Sequence, residues 1–290
     1  MRRTARIPLN ERFCLNAATI KRSSLEQQIQ ITSAAGFRAI GLWIDDIETA
    51  LTRGVALGDV ADWLKQAGLK VVELCFVGGW QDATEEAFAR VVGETQHLCQ
   101  VARGLGCDLV VAVPALGPGS LDAAPARFRT ICLAAAEHEV RIALEFPWTV
   151  AEVNNLTRAW QVVATAGCEN GGLVLDWFHF SLGGSSAEEL ARIPGESLFL
   201  VHLSDAMDIG LEKLRSHHDN RTFPGEGTLD YAPLFQALEK LDYQGPLSLE
   251  IWNRNLAAAD PAEVAQRGFS SLLRLEQLAR SAATRPEFQP

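Results

Sequence analysis

Four ionisable side chains in the second half of the chain each sit near the end of a short apolar run. Runs of this length, rich in branched aliphatic residues, are typical of buried β-strands. Each run contains a single ionisable residue suited to acid–base chemistry or to metal binding. They are Glu145 in RIALEF (141–146), Asp176 in LVLDWF (173–178), His202 in LFLVHL (198–203) and Glu250 in LSLEIW (247–252).

The alternation of side chains along a strand places each of these four residues on the strand face opposite the bulkier aliphatic residues. Glu145 shares its face with Ala143, whereas Ile142 and Leu144 point the other way. The other three runs alternate in the same manner, with the bulkier aliphatic residues opposite the ionisable one. If the strands are parallel and wrapped by helices, all four ionisable groups are expected to converge at the carboxyl ends of the strands.

Three carboxylates and one imidazole in a partly desolvated site repel one another unless a cation is bound. Three oxygen donors and one nitrogen donor, with coordination positions left open, suit one divalent metal ion: Mn²⁺, Mg²⁺, Co²⁺ or Zn²⁺. For any one of these residues alone, a salt-bridged carboxylate at a strand end is the competing explanation. The repetition at four successive strand ends favours a metal site.

Strand-like runs alternate with amphipathic helical patterns along the whole chain, which predicts an α/β fold with a single (β/α)₈ TIM barrel. A doubly wound sheet is the alternative, but the Gly-rich turn that usually follows its first strand is missing from the sequence. Predicted helices end at glycines 36, 68, 106 and 167. The remaining predicted strands are 13–17, 39–44, 70–76 and 108–113.

The 290 residues carry a net charge of −10 and contain 48% hydrophobic residues. We expect one domain over 1–290, with a core of about 12–278, a flexible tail at 279–290 and a long functional loop at about 204–229. The acidic balance argues against nucleic-acid and anionic-membrane partners. Six scattered cysteines and the lack of an apolar leader or spanning run predict buried free thiols and a cytoplasmic location.

The string ALEF…LVLDWFHF…VHLSDA…RTFPGEG…LSLEIWN resembles the xylose-isomerase-like TIM-barrel superfamily of sugar isomerases and epimerases. Within it the chain is most similar to 2-keto-myo-inositol isomerases and ketose 3-epimerases. It also resembles metal-dependent 3-dehydroshikimate dehydratases, chiefly through FPGEG and the E-I-W-N ending. The resemblance covers about residues 12 to 278 and is strongest after residue 140.

The resemblance implies metal ligation by Glu145, Asp176, His202 and Glu250, and an acid–base role for the two glutamates. The implied reaction is isomerisation or epimerisation of a small keto-cyclitol or ketose, as in inositol catabolism, through a metal-stabilised enediolate. A dehydratase acting on a 3-dehydroshikimate-like or inosose substrate is the alternative, because it would begin with the same proton abstraction. The sequence leaves the oligomeric state open, a homo-oligomer included.

Two further residues gain candidate roles from the resemblance. His179 would contact a substrate hydroxyl near the metal, and Arg221, which precedes F-P-G-E-G, would point at substrate oxygens. The competing explanations are a loop histidine and a solvated arginine. Two departures bear on the substrate: Asn220 stands where the inositol isomerases commonly carry His, whereas His202 stands where the dehydratases often carry Gln.

Other candidate residues follow from their positions at predicted strand ends. Asp205 could orient a metal ligand from behind or cap its own loop. Asn16, Trp43, Phe76 and Trp148 could line a pocket for a polyol ring, although aromatic residues at strand ends are as often part of the core.

Two other classes of function fit the sequence less well. A DNA-repair nuclease on the same barrel would need three zinc ions and more ligands than six histidines supply. A non-catalytic binding protein would not need two glutamates and His179.

Overall fold

The computed structural model describes residues 7–114, 121–216 and 220–283, and its centre is a closed barrel of eight parallel strands. Around the barrel the strands follow the order β1-β10-β7-β6-β5-β4-β3-β2, and β2 pairs with β1 to close it. Two further short strands, β8 and β9, pair antiparallel outside the barrel. The strands are β1 (Phe13–Asn16), β2 (Ala39–Trp43), β3 (Lys70–Val77), β4 (Leu109–Ala112), β5 (Arg141–Leu144), β6 (Gly171–Asp176), β7 (Leu198–Leu203), β8 (Asp205–Ala206), β9 (Arg221–Thr222) and β10 (Leu247–Leu249).

Helices follow the barrel strands and surround them, so the predicted single (β/α)₈ barrel is confirmed. Their ends carry the local signals that the sequence shows. Ser24 caps α1 in a capping box with Gln27, and Gly68 and Gly167 end α3 and α6 in the left-handed conformation. The helices are α1 (Leu25–Ala34), α2 (Ile44–Thr52), α3 (Leu57–Ala67), α4 (Glu85–Gly104), α5 (Ala124–Ala136), α6 (Leu156–Ala166), α7 (Trp177–Leu182), α8 (Ala187–Leu190), α9 (Leu211–Ser216), α10 (Ala232–Lys240), α11 (Arg254–Ala257) and α12 (Pro261–Ala283).

Apolar residues of the strands and of the surrounding helices form one buried core. Ile142 and Leu144 of β5 are fully buried in it. The six cysteines are free thiols, five of them buried and Cys168 half-buried. None of the helices in the described part of the chain combines the length and apolar character that a bilayer crossing requires.

Several predicted boundaries were wrong. The run LVLDWF does not continue as a strand to 178, because Asp176 caps a new helix, α7, by accepting hydrogen bonds from two backbone N–H groups. The segment 204–229 is not irregular throughout, since it contains β8, β9 and α9. Helix α12 runs to Ala283, so the first residues of the predicted tail, 279–283, are helical, and 284–290 lie outside the described residues. His217 and His218 lie outside the described residues.

Candidate metal centre

The structure brings the four ionisable residues together at the carboxyl-terminal mouth of the barrel. One ligand atom from each lies within 4.8 Å of the others, and all four side chains are buried. Asp176 and His202 lie on β6 and β7, where they are direct neighbours in register. Glu145 and Glu250 come one residue after β5 and β10. Their backbone N–H groups still bond to the adjacent strands, at Ala112 and Leu203, so the barrel holds both side chains in place.

The His202 ring presents one nitrogen to this cluster and the other to the barrel interior. Its Nε2 lies 2.7 Å from Oε2 of Glu73, whereas Nδ1 lies 3.6 Å from Oε1 of Glu145 and 3.4 Å from Oε2 of Glu250. Nδ1 is buried and forms no hydrogen bond within the described residues. Buried polar atoms normally have a partner, so a nitrogen left facing two carboxylates fits a ligand to a cation.

Asp176 has each carboxylate oxygen oriented by protein donors. Oδ1 accepts hydrogen bonds from the backbone N–H groups of Phe178 and His179, and Oδ2 accepts one of 2.7 Å from Nη1 of Arg221. Burial alone would raise the pKa of Asp176, but the adjacent charge of Arg221, with smaller contributions from the two histidines and from the backbone N–H of His179, holds that pKa well below its usual range. Asp176 is therefore ionised at any pH near neutrality.

The pKa of Glu145 is shifted in the opposite direction to that of Asp176. Burial, together with the nearby negative charge of Glu250, raises the pKa of Glu145 to about 7, although His202 opposes the rise. His202 is also affected: burial disfavours its charged form, but Glu73 and Glu250 raise its pKa well above the usual value. In the absence of a cation, protons therefore supply part of the positive charge that the cluster requires.

The charge and donor types of the cluster fit a divalent cation. Three carboxylates against the single guanidinium of Arg221 leave two negative charges when His202 is neutral. Three oxygen donors and one imidazole nitrogen are ligands that Mn²⁺, Co²⁺ and Zn²⁺ all accept. Glu145, Asp176, His202 and Glu250 are thus the residues that could hold the metal.

Arg221 lies inside the centre rather than in solvent. Besides Asp176, its Nη1 contacts Oγ of Ser204 at 3.1 Å and Oε2 of Glu250 at 3.4 Å, and its Nη2 donates to Nε2 of His179 at 3.0 Å. Because arginine only donates, His179 must accept through Nε2. Both residues therefore lie at the centre, where the hydrogen bonds of Arg221 run to side chains of the centre itself; their contact with a substrate stays a prediction.

Asp205 anchors the loop after β9 and forms no hydrogen bond to a candidate metal ligand among the described residues. Its Oδ1 accepts from the backbone N–H groups of Ala206 and Leu229, and its Oδ2 accepts from that of Gly225. Asp205 therefore caps its loop, which is the alternative role that the sequence left open. The anchored loop carries the F-P-G-E-G segment, so Asp205 acts on the site only through the loop.

Aromatic side chains form one wall beside the mouth. Trp43 meets Phe76 and Trp252 edge-to-face, with ring centroids 5.5 and 5.2 Å apart, and its indole N–H donates to Oδ1 of Asn16 at 2.7 Å. Asn16 is fully buried, so it positions Trp43 rather than lining a pocket. We refer to Trp43, Phe76 and Trp252 as the aromatic wall.

Trp148 occupies a different environment from the aromatic wall. It is nearly fully buried in a small apolar cluster with Phe178 and Leu214. The alternative explanation, a core residue, fits this position better than a pocket lining.

Sequence reasoning missed Glu73 and Trp252. Glu73 lies on β3 behind His202 and is completely buried, with Oε1 accepting a hydrogen bond of 2.6 Å from Ser248. The available signal was a lone carboxylate in the apolar run KVVELCF, on the same face as Cys75. It was weak because Glu73 is not at the strand end.

A parallel eight-stranded barrel with a possible metal site at its mouth defines the class of this protein. The chain belongs to the xylose isomerase-like TIM barrel family, whose model matches residues 29–275.

Two curated relatives of known activity match most of this chain. A 3-dehydroshikimate dehydratase of Pseudomonas aeruginosa is 31% identical over 91% of the chain, but the chain spans only 42% of the length of that relative. An inosose isomerase of Bacillus velezensis is 27% identical over 83% of the chain and 88% of its own length.

Among solved structures, the crystal structure of an IolI protein with a bound zinc atom superposes with a TM-score of 0.86 at 24% identity. The match covers 92% of this chain and 99% of that one. At this identity the likeness shows the fold.

Proposed function

We propose that this protein is a divalent-metal-dependent isomerase or epimerase of a keto-cyclitol or ketose. The enzyme would remove a proton from the carbon next to the carbonyl group of its substrate and then return one. The single observation that carries the proposal is the convergence of Glu145, Asp176, His202 and Glu250 within 4.8 Å at the barrel mouth. A bound cation would supply the electrophile that makes the proton beside a carbonyl removable.

The two glutamates are the proton-transfer groups in this proposal. With no cation bound, burial raises the pKa of Glu145 to about 7, so this carboxylate can hold a proton near neutral pH. Glu250 is the second carboxylate of the site. If one glutamate removes the proton and the other returns one, return to the opposite face of the same carbon inverts that carbon, and return to the neighbouring carbon relocates the carbonyl.

The neighbouring residues hold this arrangement. Arg221 ties Asp176 and His179 together through hydrogen bonds of 2.7 and 3.0 Å, which leaves His179 at the edge of the centre, 4.0 Å from Oε1 of Glu145. The aromatic wall offers an apolar face beside these polar groups; its Phe76 side chain is 39% exposed. Rings of cyclitols and sugars have an apolar C–H face that suits such a surface.

The comparisons support this class of substrate. The Bacillus velezensis relative, matched over 88% of its length, is an inosose isomerase, and the IolI structure contains zinc. His202 also stands where the resemblance expects the histidine of the isomerases.

A dehydratase is the second candidate, and one observation favours it. The 31% identity with the Pseudomonas aeruginosa 3-dehydroshikimate dehydratase extends over 91% of this chain. The same glutamates would remove the same kind of proton, and loss of a β-hydroxyl group would follow. The two functions therefore differ in outcome and not in the groups that begin the reaction.

The deciding experiment incubates the metal-loaded protein with inososes, ketoses and 3-dehydroshikimate in D₂O and follows each by NMR. Deuterium entry beside a carbonyl with a rearranged or inverted product supports the isomerase. Formation of a dehydrated, unsaturated product supports the dehydratase. Absence of both exchange and product with every compound, in a protein that binds metal, would reject both functions. The matched control is Thr95→Val, which alters a buried hydroxyl that donates to the Val91 carbonyl within α4 and should leave exchange unchanged.

A further inference from the structure

Glu73 is a fully buried carboxylate in the barrel interior that the proposed reaction does not use. Its Oε2 lies 2.7 Å from Nε2 of His202, and its Oε1 accepts a hydrogen bond of 2.6 Å from Ser248. The Cys75 thiol is a weaker donor to Oε2, at 3.6 Å. His202 lies 129 residues away along the chain, so this contact exists only in the closed barrel.

The barrel has a specific space for this carboxylate. A Cβ atom at Gly41 of the adjacent strand β2 would lie 2.3 Å from Oε1 of Glu73 and 2.7 Å from its Cγ. Such distances are far below van der Waals contact, and Glu73 is enclosed and cannot swing away. Glycine at 41 is therefore required for Glu73 to take its position.

A buried carboxylate is costly unless its oxygens are hydrogen-bonded, so its bonds decide what it does. A carboxylate only accepts, which requires that Nε2 of His202 carry the hydrogen. A neutral imidazole protonated at Nε2 has its lone pair on Nδ1, the nitrogen that faces Glu145 and Glu250 at 3.6 and 3.4 Å.

We propose that Glu73 is a positioning residue that fixes the tautomer and orientation of His202, so that the Nδ1 lone pair points at the cation site. This inference rests on the metal site of the proposed function. Glu73 acts through His202 and on the opposite edge of the ring from the ligand nitrogen. A carboxylate in this position also increases the basicity of the ligand imidazole and thereby strengthens metal binding.

The test measures metal affinity, not turnover. The dissociation constant for Zn²⁺ or Mn²⁺ is determined by competition with a chromophoric chelator for the wild-type protein and for Glu73→Gln. The amide keeps the shape but loses the charge, so we expect the dissociation constant to rise about 10- to 100-fold. Gly41→Ala displaces Glu73 without changing its chemistry, so it should also raise the metal dissociation constant. This variant replaces Glu73→Gln in the test if Glu73→Gln does not fold.

A second measurement separates positioning from general destabilisation. In a His202→Gln background Glu73 has no imidazole to orient, so adding Glu73→Gln should change the dissociation constant by less than about twofold. Gly172→Ala is the matched control, because its added Cβ would collide with the Phe199 ring at 2.5 Å, away from Glu73. It should lower stability but leave metal affinity unchanged.

The outcomes are distinguishable. If the wild-type protein binds no divalent metal, the proposed function fails and this inference with it. If the wild-type protein binds metal and folded Glu73→Gln binds it equally well, only the inference is overturned. The inference is also overturned if Glu73→Gln raises the metal dissociation constant by the same factor in the wild-type and His202→Gln backgrounds. That result would show that Glu73 does not act through the imidazole.

Discussion

Replacing Glu145 by Gln should change how the stability of the metal-free protein depends on pH. Burial raises the pKa of Glu145 from an ordinary 4.5 to about 7 in the folded protein. A carboxyl whose folded pKa is raised favours the folded state at low pH, and this contribution is lost as pH rises from about 4.5 through 7. Glutamine does not titrate, so the variant does not lose this part of its stability as the pH rises.

The size of the effect follows from the difference between the two pKa values. At 1.36 kcal/mol for each pKa unit, the change from 4.5 to about 7 corresponds to about 3 kcal/mol. In a chain of this length 1 kcal/mol moves the melting temperature by about 2 °C. The melting temperature of Glu145→Gln, relative to wild type, should therefore rise by about 6 °C between pH 4.5 and 7.5.

Thermal unfolding followed by circular dichroism, with EDTA present, measures this difference at several pH values. Thr95→Val is the control, because neither threonine nor valine titrates, so its difference from wild type should not vary with pH. A pH-independent difference for Glu145→Gln would refute the argument from burial. Added Mn²⁺ should stabilise the wild type more at pH 7.5 than at pH 5, since the cation must displace the proton.

Three further expectations concern the same site. Gln at Glu145 or Glu250 should reduce turnover about 100-fold or more while some metal remains bound, and only loss of the proton-removing glutamate should abolish deuterium exchange measured by NMR. Asp205→Ala should lower the free energy of unfolding by at least about 2 kcal/mol, because three backbone N–H groups lose a charged acceptor, yet leave the metal dissociation constant unchanged. Phe76→Ala should raise KM for a cyclic substrate about fivefold, the equivalent of ~1 kcal/mol of ring contact, with little effect on melting temperature. A metal-loaded Gln variant with near-normal turnover, an unaltered stability in Asp205→Ala, or an unchanged KM in Phe76→Ala would contradict these expectations in turn.

The barrel could be predicted because its signals are local. Strand alternation depends on neighbours two residues apart, and the glycines that end α3 and α6 adopt positive φ whatever lies elsewhere. The same alternation placed Glu145, Asp176, His202 and Glu250 on the inward face. Parallel strands in a closed barrel then bring their carboxyl ends together, so the convergence required no knowledge of side-chain contacts.

The sequence could not supply the bonds that organise this centre. Arg221 meets Asp176 across 45 residues, and Asp205 receives the N–H of Leu229 across 24. Whether an arginine before F-P-G-E-G points at substrate or at a neighbouring carboxylate depends on how the loop folds back. The N-capping of α7 by Asp176 was also missed, since an apolar run can continue as a strand or turn into a helix.

By itself the sequence determined the parallel barrel and the set of side chains at its mouth, because both follow from the period of hydrophobic residues within single strands and helices. Only the tertiary structure decided which nitrogen of His202 faces that set. Glu73 and Ser248, 175 residues apart, meet inside the closed barrel, and Gly41 leaves the space in which they do so. The orientation of the imidazole is set by this contact between distant strands, and no periodicity along one strand encodes it.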